Sequence, residues 1–122
     1  MNGAREPFQS LTGKPHRTID PDVVWDGSCY VAAWTDPTPN WGRGDEPHEG
    51  IFSRVYASRL DENGKVLLPP GQPLPVAGTS QSPAQRATLA TDGAGNTLIA
   101  YERHPETGAV PIKIGFRILT NK

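Results

Sequence analysis

The densest group of side chains able to do chemistry is Trp41-Gly42-Arg43-Gly44-Asp45-Glu46-Pro47-His48-Glu49, with an indole, a guanidinium, an imidazole and three carboxylates in nine residues. An exposed Trp41 can stack on a sugar ring or a peptide, while Arg43, Asp45 and His48 donate or accept hydrogen bonds around it. These four are the candidate ligand-binding residues. The competing expectation is a solvated insertion whose Trp41 packs on its own sheet. The spacing of Asp45, Glu46, His48 and Glu49 matches neither a calcium-binding loop nor a His-Glu-x-x-His helix, so no metal or other cofactor is expected. Arg43-Gly44-Asp45 reproduces an integrin-type tripeptide, but three residues recur by chance.

Catalytic groups are harder to find. Ser28, Ser53, Ser58 and Ser82 lack a Gly-x-Ser-x-Gly setting, and His16, His48 and His104 fall in unrelated segments. Asp36 and Glu102, at neighbouring places of equivalent loops, could serve glycoside chemistry, which needs two carboxyls about 5–9.5 Å apart. Surface solvation is the favoured account of both. Cys29 has no second cysteine to pair with and lies in an apolar run, which predicts a buried, inert thiol.

What must position these groups is a chain of short strands. With 122 residues, 13 Pro, 13 Gly and an apolar fraction of 35%, the sequence suits one domain rich in turns and poorly suits a helical core. A net charge of −1 offers no field for a polyanion and speaks against nucleic-acid binding. No run is long and apolar enough for a membrane span, and Met1 to Pro7 lack the apolar centre of a signal peptide. The compartment stays open, a secreted or cell-surface setting among the options.

The chain repeats itself. Asp22-Val-Val-Trp-Asp-Gly-Ser-Cys-Tyr-Val-Ala-Ala-Trp34 returns as Leu89-Ala-Thr-Asp-Gly-Ala-Gly-Asn-Thr-Leu-Ile-Ala-Tyr101, with Asp26 and Asp92 66 positions apart. Each copy reads as two strands about an Asp-Gly turn. The first unit, 21–77, runs Asp22–Trp25, Cys29–Thr35, a long loop, Ile51–Leu60, an Asn63-Gly64 turn, a return strand Lys65–Leu68 and an edge strand or connector over Gln72–Val76. The second, 78–122, runs Arg86–Thr91, Asn96–Glu102 and Val110–Leu119, with Arg117 placed like Arg59, and stops before an outer strand. Residues 1–20 resemble the missing piece, because Pro7-Phe8 falls on Pro73-Leu74 in the same alignment. Trp25, Trp34, Tyr56, Tyr101 and Phe116 are expected between the units as core.

The succession of apolar strand, Asp-Gly, Tyr-Val-Ala-Ala-Trp or Thr-Leu-Ile-Ala-Tyr strand, loop, Arg-Leu strand, Asp-Glu-Asn-Gly-Lys-Val-Leu and Pro-rich connector resembles the blade repeat of bacterial β-propeller proteins. It spans nearly the whole chain but lacks the Gly-His and Trp-Asp signature of the WD40 class and the sialidase-type Asp box. The resemblance implies an all-β fold of two four-stranded antiparallel blades, completed into a propeller by oligomerisation with strand exchange at the termini. Rings of 4–8 blades then predict a trimer or tetramer. It also implies a non-catalytic binding or structural module that recognises carbohydrate or a protein surface through blade loops. The alternative is a hydrolase-like enzyme with its active site in the central channel.

Overall fold

The computed structural model describes residues 19–36, 53–68, 72–79, 82–104 and 112–121. Among them there is no helix. Seven strands form, β1 (Ile19–Trp25), β2 (Tyr30–Asp36), β3 (Arg54–Leu60), β4 (Leu74–Ala77), β5 (Ala84–Thr91), β6 (Asn96–Arg103) and β7 (Lys113–Thr120). They make two antiparallel sheets in simple sequential order, β1-β2-β3-β4 and β5-β6-β7. The outer strand expected of residues 1–20 lies outside the described residues, save Ile19 and Asp20, which belong to β1.

Each reversal is built on an aspartate that begins it. Asp26 Oδ1 accepts the Ser28 and Cys29 amides, Asp61 Oδ1 those of Asn63 and Lys65, and Asp92 Oδ1 those of Ala94 and Asn96. An Asp at this place satisfies amides that the ladder cannot reach, and the glycines that follow take the positive φ the turn needs. After Asn63-Gly64 the chain returns as expected, but Lys65–Leu68 makes only the Leu60–Val66 bridge and no strand. The fourth strand is Leu74–Ala77, whose Pro75 is tolerable because β4 is an edge.

The repeat extends to irregularities. In both β1 and β5 a bulge interrupts pairing at the same place, with Asp20 at φ 54° and Arg86 at φ 56°, 66 positions apart. The registers then fix the true equivalences. Trp25 pairs with Tyr30 and Thr91 with Thr97, so the second turn is one residue longer and Trp34 corresponds to Tyr101. Tyr30 pairs with Leu60 and Thr97 with Leu119, which makes Arg59 equivalent to Ile118 and Arg117 to Ser58. The expected likeness of Arg59 and Arg117 is therefore off by one residue, and the two side chains leave opposite faces of their sheets.

Alternation gives every sheet two faces. On the first sheet, Val31, Ala33, Thr35, Val55 and Ala57 share what we term the forward face; Val23, Tyr30, Ala32, Trp34, Tyr56 and Ser58 share the rear face. The core joins Ala33, Val55, Ala57 and Val76 to Ala84, Ala87 and Ile99, with Leu89, Tyr101 and Leu119 packed on it. By the equivalences above, Ile99, Tyr101 and Leu119 occupy the rear face of the second sheet. Forward face thus packs on rear face, and the two sheets are related as successive members of a stack, not as mirror halves of a sandwich. Burying a side chain such as Ile99 completely contributes about 1.5–3 kcal/mol, so this shared core is what holds two thin sheets together.

Polar contacts lock the same interface. Asp22 Oδ2 accepts the Leu89 amide at 2.8 Å, Thr35 Oγ1 accepts the Arg86 amide at 2.9 Å, and an Arg59 guanidinium nitrogen donates to the Thr120 carbonyl at 2.9 Å. At the turn end, the Gly95 amide donates to the Asp26 carbonyl at 2.8 Å. There the backbones nearly touch: a methyl on Gly27 would lie 2.1 Å from the Gly93 oxygen.

The aromatic residues divide unexpectedly. Tyr101 packs on the core and lies flat on Gly115, but Trp34 and Tyr56 stack on each other on the rear face of the first sheet, away from the second. Trp25 pairs edge-on with Tyr30 at 4.9 Å and stays 41% exposed, while Phe116 is 66% exposed. The expectation that all five pack between the units fails for these four, because only one face of each sheet meets the other sheet.

Candidate functional site

The two ends of the stack differ. One carries the tight turns at Asp26, Asp61 and Asp92. The other carries the connections β2 to β3, β4 to β5 and β6 to β7, the first of which, residues 37–53, is the longest between the strands. Trp41, Arg43, Asp45 and His48 belong to the β2–β3 connection and lie outside the described residues. What is described at this end is a platform formed by the start of β5 and the end of β6.

That platform is polar. Glu102, near the end of β6, holds Arg86 at 3.3 Å and the Gln85 amide at 3.4 Å, with His104 Nε2 at 3.8 Å. Ser82 Oγ accepts from Arg103 Nε at 3.0 Å and donates to the His104 carbonyl at 3.2 Å. Between the sheets at this end is a cleft of about 220 Å³, floored by Val76 and Ala84 and edged by Ser82, Tyr101, Arg103 and Arg117. Two guanidiniums, a phenol and hydroxyls around an apolar floor suit a ligand that presents oxygen atoms, such as a hydroxylated or carboxylated one. The sequence hid this cleft, because Val76 and Tyr101 meet only through the stacking of one unit on the other.

No acid–base pair with a nucleophile emerges among the described residues. Glu102 is engaged with Arg86 and Gln85. Asp36, its proposed companion, is buried at 3% exposure and has interactions of its own, which speaks against two free carboxyls flanking a bond. Ser53 and Ser58 are buried, and Ser28 belongs to the Asp26 turn. Among the described residues, no three His, Cys, Asp or Glu side chains are arranged to hold a metal ion. No helix among them is long and apolar enough to cross a membrane.

Burial, with the Asp36 charge beside it, pushes the Tyr56 phenol up on the rear face of the first sheet; the other shifted groups lie at the turn end. Burial pushes the Asp26 carboxyl upward, but hydrogen bonds from the Cys29 and Ser28 amides and side chains outweigh it and hold the group below the usual value. Asp92 is held low chiefly by the Asn96 side chain and by the Ala94 and Asn96 amides. The Cys29 thiol is pushed up by burial and by donating to Asp26, which leaves it protonated and unreactive. The shifts of Asp26, Asp92 and Cys29 belong to the turns and their hydrogen bonds.

No known protein family matches the sequence, and no curated protein or solved structure matches it either. The fold and the loop-end platform therefore carry the functional argument alone.

Proposed function

We propose that this chain is a non-catalytic binding module of β-propeller-like blades that recognises carbohydrate through the connections at its loop end. The observation that carries this reading is the forward-on-rear stacking of two repeat units, the relation that successive propeller blades have. Stacking of that kind makes a rigid base and brings the β2–β3, β4–β5 and β6–β7 connections to one end, where variable segments can form a binding surface. The composition of the β2–β3 connection, with Trp41 beside Arg43, Asp45 and His48, fits a sugar ring stacked on an indole and fixed by charged hydrogen bonds. The cleft edged by Arg103 and Arg117 would extend that surface between the units.

Immobilised glycans of varied composition provide the test. The protein is expected to be retained on a subset of them, and Trp41→Ala to lose that retention while its far-ultraviolet circular dichroism and thermal midpoint stay those of the parent. Retention on no glycan would overturn the carbohydrate reading. Retention on a protein surface instead would establish the other class of ligand that such a module can serve.

A further inference from the structure

The residues that line the cleft between the sheets include two guanidiniums and no carboxylate. One wall is the rear face of the second sheet, where Tyr101 pairs with Gly115, Arg103 with Lys113 and Ile99 with Arg117. Directly paired residues and their neighbours two along share a face, so Arg103, Lys113 and Arg117 all leave this one. Glu102 is the one acid of β6 and β7, and it leaves the opposite face, where Arg86 and Gln85 hold it.

The positive groups of the cleft are held in place but not neutralised. Arg103 uses only Nε, which donates to Ser82 Oγ at 3.0 Å, and Ser82 is itself anchored by donating to the His104 carbonyl. The two terminal nitrogens of Arg103 have no partner among the described residues, and Arg117 has no hydrogen bond or ion pair among them. Arg86, by contrast, has the carboxylate of Glu102 within reach and takes it. The Tyr101 ring lies so close on Gly115 that a methyl there would sit 2.8 Å from the phenol oxygen. Glycine therefore lets the ring carry its hydroxyl across to β7, over the residue that separates Lys113 from Arg117. Donors converge there without an acceptor, above the apolar floor of Val76 and Ala84.

We infer that this cleft binds the carboxylate of an acidic sugar residue, with the terminal nitrogens of Arg103 and Arg117 on its oxygens and the Tyr101 hydroxyl donating beside them. The planar fork of a guanidinium matches a carboxylate, and the floor takes the C–H face of the ring. A cleft of about 220 Å³ is smaller than the roughly 300–1,000 Å³ of sites for drug-sized ligands, and so suits one sugar residue of a longer glycan. Both arginines are exposed, so the attraction weakens as salt is added. The assignment rests on the carbohydrate reading and names the class of sugar.

A panel of immobilised carboxylated, sulfated and neutral glycans tests it, with each carboxylated glycan also present in carboxyl-reduced form, a primary alcohol replacing the acid. The full chain is expected to be retained on carboxylated glycans, and reduction of the carboxyl to weaken retention by about tenfold or more. Arg117→Gln is expected to cause the same loss and stay folded by circular dichroism, since its side chain gives up no contact among the described residues. Arg117→Lys keeps the charge without the fork and recovers part of the retention. Lys65→Gln, which removes an equal charge at the turn end, is expected to bind like the parent. Retention on neutral glycans alone, on sulfated glycans alone, or unchanged by carboxyl reduction overturns this inference and leaves the carbohydrate reading standing. Retention that depends on the carboxyl but survives Arg117→Gln overturns the cleft as its site. Retention on no glycan overturns both readings together.

Discussion

Two buried threonines show how the same side chain can be worth opposite amounts. Thr35 is fully buried and its hydroxyl takes the Arg86 amide that the β5 bulge turns out of its ladder. Thr97 is 1% exposed and its hydroxyl has no hydrogen-bond partner. Valine has nearly the same shape, so Thr35→Val is expected to destabilise by about 1 kcal/mol through the lost bond, and Thr97→Val to be neutral or stabilising. Urea unfolding of the two variants checks this; equal effects would mean that the two hydroxyls are not differently paired. The turn aspartates make a second prediction. Asp26 and Asp92 both titrate below their ordinary value of 3.8 in the folded chain, so the unfolded chain takes up protons first as pH falls. Their contribution is complete above that value and is lost as pH drops through and below it. The urea midpoint should therefore fall between about pH 5 and about pH 2, and Asp26→Asn, which keeps an acceptor oxygen but cannot titrate, should flatten the fall. A parallel acid profile for parent and variant would remove Asp26 from the account. At this scale the sequence was readable where the chemistry is local. Cys29 was expected to be buried and inert, and it is. Arg86 gave no sign of its positive φ, which is recognisable only beside Asp20, its counterpart in the bulge of the other unit.

At the scale of elements, the Asp-Gly reversals were legible because a turn is specified by its own residues. Their registers were not. Counting from Asp26 and Asp92 cannot reveal that the second turn holds one residue more, and that one residue decides which face each later side chain takes. Lys65–Leu68 was misread for a related reason: its apolar pattern suits a strand, but Leu74–Ala77 takes the outer edge of β3 at Val55, Tyr56 and Ala57, and Val66 and Leu67 meet β3 only at Leu60 and Arg59. The two turn glycines are predicted to differ although their sequence settings are alike. Gly27, at φ 108°, has the Gly93 carbonyl where a methyl would go, whereas Gly93, at φ 73°, has nothing within 4 Å. Gly93→Ala carries only the conformational cost, about 1 kcal/mol, and Gly27→Ala adds a steric one on top. Thermal unfolding should rank Gly27→Ala clearly below Gly93→Ala. The reverse order would show that the turns do not meet as described.

For the molecule as a whole, neither sheet closes a core by itself. The residues that bury Ile99 include Ala33, Val55 and Ala57 from the other unit. A chain of residues 78–122 alone is accordingly expected to be unfolded by circular dichroism, and a cooperative thermal transition in that fragment would contradict the shared core. The stack was legible from the repeat, but its direction was not, because that depends on faces and the faces depend on register. Nor could the sequence place the described cleft, which neither unit contains alone. The closeness of Gly27 to Gly93 has one more consequence. Backbone rests on backbone there, so a single hydrogen atom is the spacer between successive sheets at the turn end. Side chains elsewhere in the interface can change rotamer to absorb a substitution; this contact cannot. It therefore works as a gauge for the tilt of one sheet on the next. An added methyl would widen that tilt, and any assembly that repeats the step around an axis would complete its circle with a different number of members.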